Sequence, residues 1–324
     1  MGTLISEVGE FGLLQRIDAA LGNAASGSVH VGRGDDAAVV AVGGGTVVVS
    51  ADMLVEGRHF RRDWSTGRDV GAKAAAQNIA DIAVMGAQAT TLVVALGLPP
   101  DLTVEWVEDL VAGLREEAAS QGATIVGGDL VRSDKVTVAV TSLGQLTGSA
   151  VLRSGAKPGD VVAVAGRLGW AAAGLAILSR GFRTPRALVD AHRRPEPPYA
   201  AAAAASVAGA SAMIDVSDGL VSDLGHIARA SGVVVQIDPA LLLVDEPVAS
   251  AAAAFNADPL IWVLTGGEDH AVVATFPAEV GLPAGFRAIG QIASVQDVDA
   301  LDEPGVTVGG RVPRGGGGFD HFAG

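Results

Sequence analysis

The chain contains no cysteine among its 324 residues. Disulfides, zinc–thiolate sites, iron–sulfur clusters and cysteine nucleophiles are therefore excluded. Lysine is scarce too, and none of Lys73, Lys135 and Lys157 follows a glycine, so the chain has no Gly-Lys-Ser/Thr of a phosphate-cradling loop. The six histidines show no H-E-x-x-H spacing, and no serine sits in a G-x-S-x-G elbow. Long apolar runs are missing. The uncharged stretches 136–152 and 198–214 are diluted by Thr, Ser, Gln, Gly and Ala, short of the roughly 20 apolar residues a membrane crossing needs. The N-terminus lacks a basic segment followed by an apolar one, which gives the expectation of a cytoplasmic protein. Positive charge is also in short supply, with 22 Lys and Arg against 36 Asp and Glu and a formal net charge of −14. Such a field repels phosphate backbones and anionic lipid, so neither nucleic acid nor membrane is expected as a partner.

What remains is a hydrophobic, glycine-rich chain. Hydrophobic residues make up 49%, there are 44 glycines, and aromatics are only 4%, so the core is built from Ala, Val, Leu and Ile. The length predicts two domains. The passage 147–160, with its Gly, Ser and Pro, divides the chain into 1–147 and 148–324. Periodicity predicts an α/β (α+β) fold. In the first part, helices are expected from Phe11 to Leu21, over 69–85 and after the cap Thr103, with Val107, Leu110, Val111 and Leu114 as the buried stripe of the last. Strands 37–42 and 46–50 form a hairpin through three glycines, 91–98 is a strand, and 124–126 and 135–143 are strands flanking a turn at Gly127-Gly128-Asp129. In the second part, strands are expected at 161–165, 212–215, 233–237, 271–276 and 286–292, and helices at 169–179, 199–209 and 218–231. His30, His192 and His226 read as surface or structurally satisfied residues.

The acidic residues are unevenly placed. Asp35 and Asp36, Asp52, Asp129, Asp215 and Asp218, and Glu268 and Asp269 lie in short, mostly glycine-bearing turns between apolar strands, and Asp81 sits inside an apolar helical stretch. Carboxylates at strand ends, with glycines permitting close backbone approach, suit hard divalent cations such as Mg²⁺. Taken singly, each motif also reads as a plain turn, and Asp218 as a helix N-cap. For Asp81 the structural reading is weaker, because a carboxylate among apolar side chains needs a partner. A nucleotide bound here would be held through metal ions, which suits phosphoryl transfer, whose transition state needs charge neutralisation and alignment. Arg153, in the interdomain passage, is the arginine best placed for the phosphates; a solvated linker arginine is the alternative reading.

These residues carry a resemblance. Gly34-Asp35-Asp36-Ala37, Ser50-Ala51-Asp52 with Glu56-Gly57-Arg58-His59-Phe60, and Asn78-Ile79-Ala80-Asp81 with Met85-Gly86-Ala87 resemble the thiamine-monophosphate kinase family. So do Gly127-Gly128-Asp129, the run from Arg153 to Asp160, the run from Ile214 to His226, Gly266-Gly267-Glu268-Asp269 and Phe319-Asp320-His321-Phe322. The match runs in order from about residue 9 to the end. It implies the two-domain fold of aminoimidazole ribonucleotide synthetase, with an N-terminal mixed sheet that binds ATP and Mg²⁺ and forms a homodimer, and a C-terminal α/β domain completing the substrate site. It implies ATP-dependent phosphorylation of thiamine phosphate to thiamine diphosphate by direct in-line transfer, with several Mg²⁺ ions. Carried across, Asp36, Ser50, Asp52, Asp81, Asp129, Asp215 and Asp218 would hold metal, with Asp218 catalytic. Gly128, Asp129, Arg153 and Ser217 would meet ATP, and His59, Glu268 and Phe319 the thiamine phosphate. The sequence departs from the family pattern at Ala51, Leu130, His270 and Phe319, and none of these changes removes a carboxylate. Superfamily relatives that use a reactive cysteine or selenocysteine are set aside by its absence. A cation- or nucleotide-binding protein without turnover is the alternative from another class.

Overall fold

The computed structural model describes residues 29–32, 34–146 and 148–313, together with Gly12 and Gln15. Most of the helix expected at 11–21 and the aromatic end that includes Phe319 lie outside the described residues. Strand β1 (Val29–Val31) is followed by β2 (Ala38–Val42) and β3 (Gly45–Val55), which pair as the expected hairpin with Val42 opposite Gly45. Gly44 makes the turn with φ 105°, a conformation that costs glycine little. With β4 (Ala87–Leu98), β5 (Thr124–Arg132) and β6 (Thr137–Leu146) these strands form a sheet of order β1-β2-β3-β6-β4-β5, antiparallel except for β4 and β5.

The sheet corrects two expectations. Asp52 does not lie in a turn but inside β3, opposite Val140. Gly127-Gly128-Asp129 is no turn: β5 runs straight through it, with Gly128 opposite Val94 and Asp129 opposite Ala95. Glycine marks close strand approach here, since a Cβ on Gly128 would collide with the Val94 carbonyl.

Two helices, α1 (Gly67–Val84) and α2 (Val104–Ser120), cover one face of this sheet. Thr66 and Asp69 form a reciprocal capping box at the start of α1, and Thr103 accepts the Trp106 N–H at 3.3 Å at the start of α2. The buried stripe of α2 is Leu110, Gly113, Leu114 and Ala118; Val111, expected inside, is exposed. The two helices cross so closely that a Cβ on Gly67, Gly71 or Gly113 would strike the backbone of the facing helix.

The second half contains β7 (Val161–Ala165), α3 (Trp170–Ser179), α4 (Arg186–Arg193), α5 (Tyr199–Ala208), β8 (Ala212–Asp215), α6 (Leu220–Ser231), β9 (Val234–Ile237), α7 (Glu246–Ala254), α8 (Pro259–Thr265), β10 (Val272–Phe276), β11 (Arg287–Ala293) and β12 (Gly305–Val308). Its strand order is β12-β9-β11-β7-β10-β8, parallel only between β12 and β9. Elements β1, α4, α7, α8 and β12 go beyond the sequence reading. One face of this sheet buries Val164, Ile214, Leu224, Ile227 and Val273. The other buries Met213, Val272 and Phe276 together with Ala83 and Val84 of α1. Helix α1 is therefore buried nearly all round, which explains its lack of a polar face. Among the described residues no single helix is long and apolar enough to cross a membrane.

Replacing Gly71 by Ala tests the helix crossing. Propensity alone would favour Ala by about 1 kcal/mol. The collision with Leu110 should reverse this, and urea unfolding is expected to show a net loss of about 2 kcal/mol.

Candidate active site

Three carboxylates converge where the two halves meet. Asp36 lies just before β2, Asp81 is on α1 and Asp215 ends β8, and one oxygen from each lies within 4.8 Å of the others. Burial raises the Asp81 carboxyl well above its usual range, and the charges of Asp215, Asp52 and Asp36 push it further. Burial likewise lifts Asp36 to about 7, even though Arg153 opposes it. Mutually repelling, buried carboxylates of this kind fit a divalent cation, a hard ion that prefers oxygen donors.

The surrounding groups are ordered by hydrogen bonds. Ser50 on β3 donates to Asp81 Oδ2 at 2.6 Å. The Asp52 N–H donates to Asn78 Oδ1 at 3.0 Å, and Gln77 Nε2 donates to the Asp52 carboxylate, so α1 fixes both residues on the helix-covered face of β3. Arg153 forks onto Asp36, with Nε at 3.0 Å and Nη2 at 2.7 Å from its two oxygens, and its N–H meets Asp35 at 3.2 Å. It is a partly buried ion-pair partner, not a solvated linker residue. On the far side, His270 Nδ1 lies 2.8 Å from Asp215 Oδ2, so the residue that departs from the family pattern holds a member of the cluster.

Asp218 does not cap α6. That helix begins at Leu220 without a side-chain cap, and the N–H groups of Asp218 and Gly219 both donate to Asp223. Burial and the charges of Asp218 and Asp215 raise Asp223 well above its usual range. Ser217 adjoins Asp218, and the Ser217 carbonyl accepts the Glu268 N–H at 2.8 Å.

A second group lies alongside. Glu268 has φ 66°, a left-handed conformation costly for a residue with a Cβ. Its Oε1 is 2.8 Å from Lys73 Nζ and its Oε2 is 3.2 Å from His192 Nδ1. Burial would raise this carboxyl, but the Lys73 charge and His192 outweigh it and hold it well below its usual range. His59 accepts the Val55 N–H on Nδ1 at 3.0 Å, which leaves the ring proton on Nε2. His192 is neither on the surface nor remote from chemistry: it is 4% exposed and packs edge-on against Trp64. Sequence reasoning missed Lys73, whose place in an Ala-rich helix looks like a solvated face. Asp269 has a structural task, accepting the N–H groups of Gly169 and Ala171 at 2.6 and 2.8 Å at the start of α3.

One predicted ligand stays apart. The row Asp52–Val140–Val94–Gly128 spans β3, β6, β4 and β5, so Gly128 stands three strands from Asp52, roughly 14 Å. Asp129 is one residue further and pairs with Ala95 on the exposed face, opposite the helices. Within one chain it does not join the cluster.

The cluster makes stability depend on pH in a fixed sense. A carboxyl raised in the fold disfavours folding once ionised, so the penalty grows as pH rises through about 7. Without divalent cation the chain should melt about 3 °C lower at pH 8 than at pH 6. Mg²⁺ should close that gap in wild type but not in Asp81→Asn, as read by thermal denaturation.

Comparison with known proteins follows the same lines. Residues 34–146 match the family described as AIR synthase related protein, N-terminal domain, and residues 157–300 its C-terminal domain. The chain is 51% identical over 290 residues to the thiamine-monophosphate kinase of Mycobacterium tuberculosis, covering 89% of this chain and 86% of that protein. It is 37% identical to that of Corynebacterium glutamicum, covering 99% and 96%. The solved structure of AaThiL complexed with AMPPCP and TMP superposes with a TM-score of 0.89 at 31% identity, over 99% of each chain. The two-sheet architecture, the carboxylate cluster and these relatives agree: the chain belongs to the thiamine-monophosphate kinase family.

Proposed function

We propose that this chain transfers the terminal phosphoryl group of ATP to thiamine phosphate, giving thiamine diphosphate and ADP. The observation that carries the reading is the Asp36–Asp81–Asp215 cluster, a concentration of buried negative charge, in a chain 51% identical to a thiamine-monophosphate kinase. An oxygen of the substrate phosphate attacks the γ-phosphorus in line, and the bond to the β–γ bridging oxygen breaks. That phosphate is already ionised, so no general base is required.

Asp36, Asp81, Asp215, Asp52 and Asp218, with Ser50, would hold Mg²⁺. Several bound ions would neutralise the phosphate charges during transfer. Arg153 and Ser217 flank the cluster and would orient ATP, Arg153 exchanging part of its fork on Asp36 for phosphate oxygens. His59 and Glu268 would meet the thiamine phosphate, and Phe319 would stack on its heterocycle. The division of labour follows the halves 1–147 and 148–324, the first supplying most of the metal ligands. A cytoplasmic setting, where ATP and Mg²⁺ are supplied, suits this chemistry.

The homodimer reading accounts for Asp129 and Gly128. The face of the first sheet turned from its helices carries Met53, Val93 and Val131, which are 49, 38 and 56% exposed. An apolar face of this kind, beside the exposed edge strand β5, suits a second copy. The partner's β5 would then bring Asp129 to the cluster from across the interface.

ADP release with thiamine phosphate and Mg²⁺ tests the reaction; absence of stimulation by thiamine phosphate would sink it, and nucleotide binding without turnover would favour the binding-protein alternative. Asp218→Asn should lower kcat by about a hundredfold or more with an unchanged fold. Mixing the inactive variants Asp129→Asn and Asp218→Asn under subunit exchange should restore up to about a quarter of wild-type activity. No recovery would place Asp129 outside the shared site.

A further inference from the structure

We infer that Lys73 is the positioning residue of the acceptor subsite, the tie that fixes Glu268 and the His59 segment as one surface for thiamine phosphate. The inference rests on the kinase reading above and deepens it. Lys73 is 1% exposed, on the buried helix α1. A buried ammonium is tolerated only when its charge and all three donors are answered. Here the answers come from three separate segments: Glu268 Oε1 at 2.8 Å, the His59 carbonyl at 3.1 Å and the His192 carbonyl at 3.2 Å.

Two of these segments carry the residues assigned to the substrate, and the third carries the histidine against the other oxygen of Glu268. His59 belongs to the first half of the chain, Glu268 and His192 to the second, so the ammonium sets the geometry across the junction. Glu268 itself needs such a tie. Its backbone is held at φ 66°, its N–H is spent on Ser217, and 28% of its side chain is still exposed. A carboxylate braced on both oxygens by Lys73 and His192 keeps its remaining lone pairs aimed at that opening, ready to accept an N–H from an aminopyrimidine. Lys73 touches neither the carboxylate cluster nor the groups assigned to ATP, so its influence should fall on one substrate alone.

Steady-state kinetics of Lys73→Met, which keeps the length of the side chain without its charge, tests this. The KM for thiamine phosphate should rise about tenfold or more, the loss expected for a charged hydrogen bond. The KM for ATP and kcat should stay within about twofold. In a double-mutant cycle, Lys73→Met added to Glu268→Gln should cost clearly less than the sum of the two single effects, because the two variants share the Lys73–Glu268 contact. Equal rises in the two KM values, a fall in kcat alone, or additive effects would overturn the inference. Should Lys73→Met not fold, the double variant, which buries no net charge, takes its place and must reproduce the selective rise of Glu268→Gln. A wild-type chain that turns over thiamine phosphate while these variants show no selectivity defeats the inference only; an inactive wild type defeats the kinase reading with it.

Discussion

Like charges that are buried together repel, and the fold at the junction of the two halves is organised around tolerating that repulsion. Asp36, Asp81 and Asp215 come from a strand entrance, a helix and a strand end, and their convergence requires each of those elements to be placed accurately. The neighbours limit the cost without removing it. Arg153 answers Asp36, Ser50 donates to Asp81 and His270 lies against Asp215, yet Asp36 and Asp81 still hold their protons more tightly than free carboxyls do. A site that stays under-neutralised in the bare chain is one prepared for cations and their phosphates.

The second organising contact is cationic. Lys73 and the Asp81 cluster sit on the same helix, two turns apart, and face different partners. Helix α1 thereby sets the distance between the carboxylate cluster and the Glu268 group. Alignment for in-line transfer is a matter of such distances, and a stiff helix holds them better than loops would.

Much of this was legible in the sequence, for physical reasons that also explain the gaps. The hairpin at 38–55, with its β-branched runs joined by glycines, and the helix at 104–120, with its cap and apolar stripe, were readable although their ends were not; the helix at 67–84 was readable as a long run free of Pro, without a polar face to phase it. Gly127-Gly128-Asp129 misled because glycine serves tight turns and close strand approach alike; only the Val94 carbonyl facing Gly128 decides between them. Helix α4 is short and rich in charge, and α7 and α8 are short and carry in their first turn a proline that also reads as a loop signal, so local pattern did not reveal them. Most of the carboxylates announced themselves through nearby glycines, and Asp81 through its apolar helical setting. Lys73 and His192 did not, because their partners lie 195 and 76 residues away in the chain and no local spacing encodes such contacts.

The double burial of α1 has a consequence for how the molecule comes apart. One side of the helix packs on the first sheet and α2, while Ala83 and Val84 help to fill the core beneath Met213 and Phe276 of the second. Neither half can lose its packing without stripping surface from the other. Two sheets that look like separable domains should therefore melt as one cooperative unit, and a fragment ending near residue 147 would carry exposed apolar surface and an unanswered lysine instead of a finished fold.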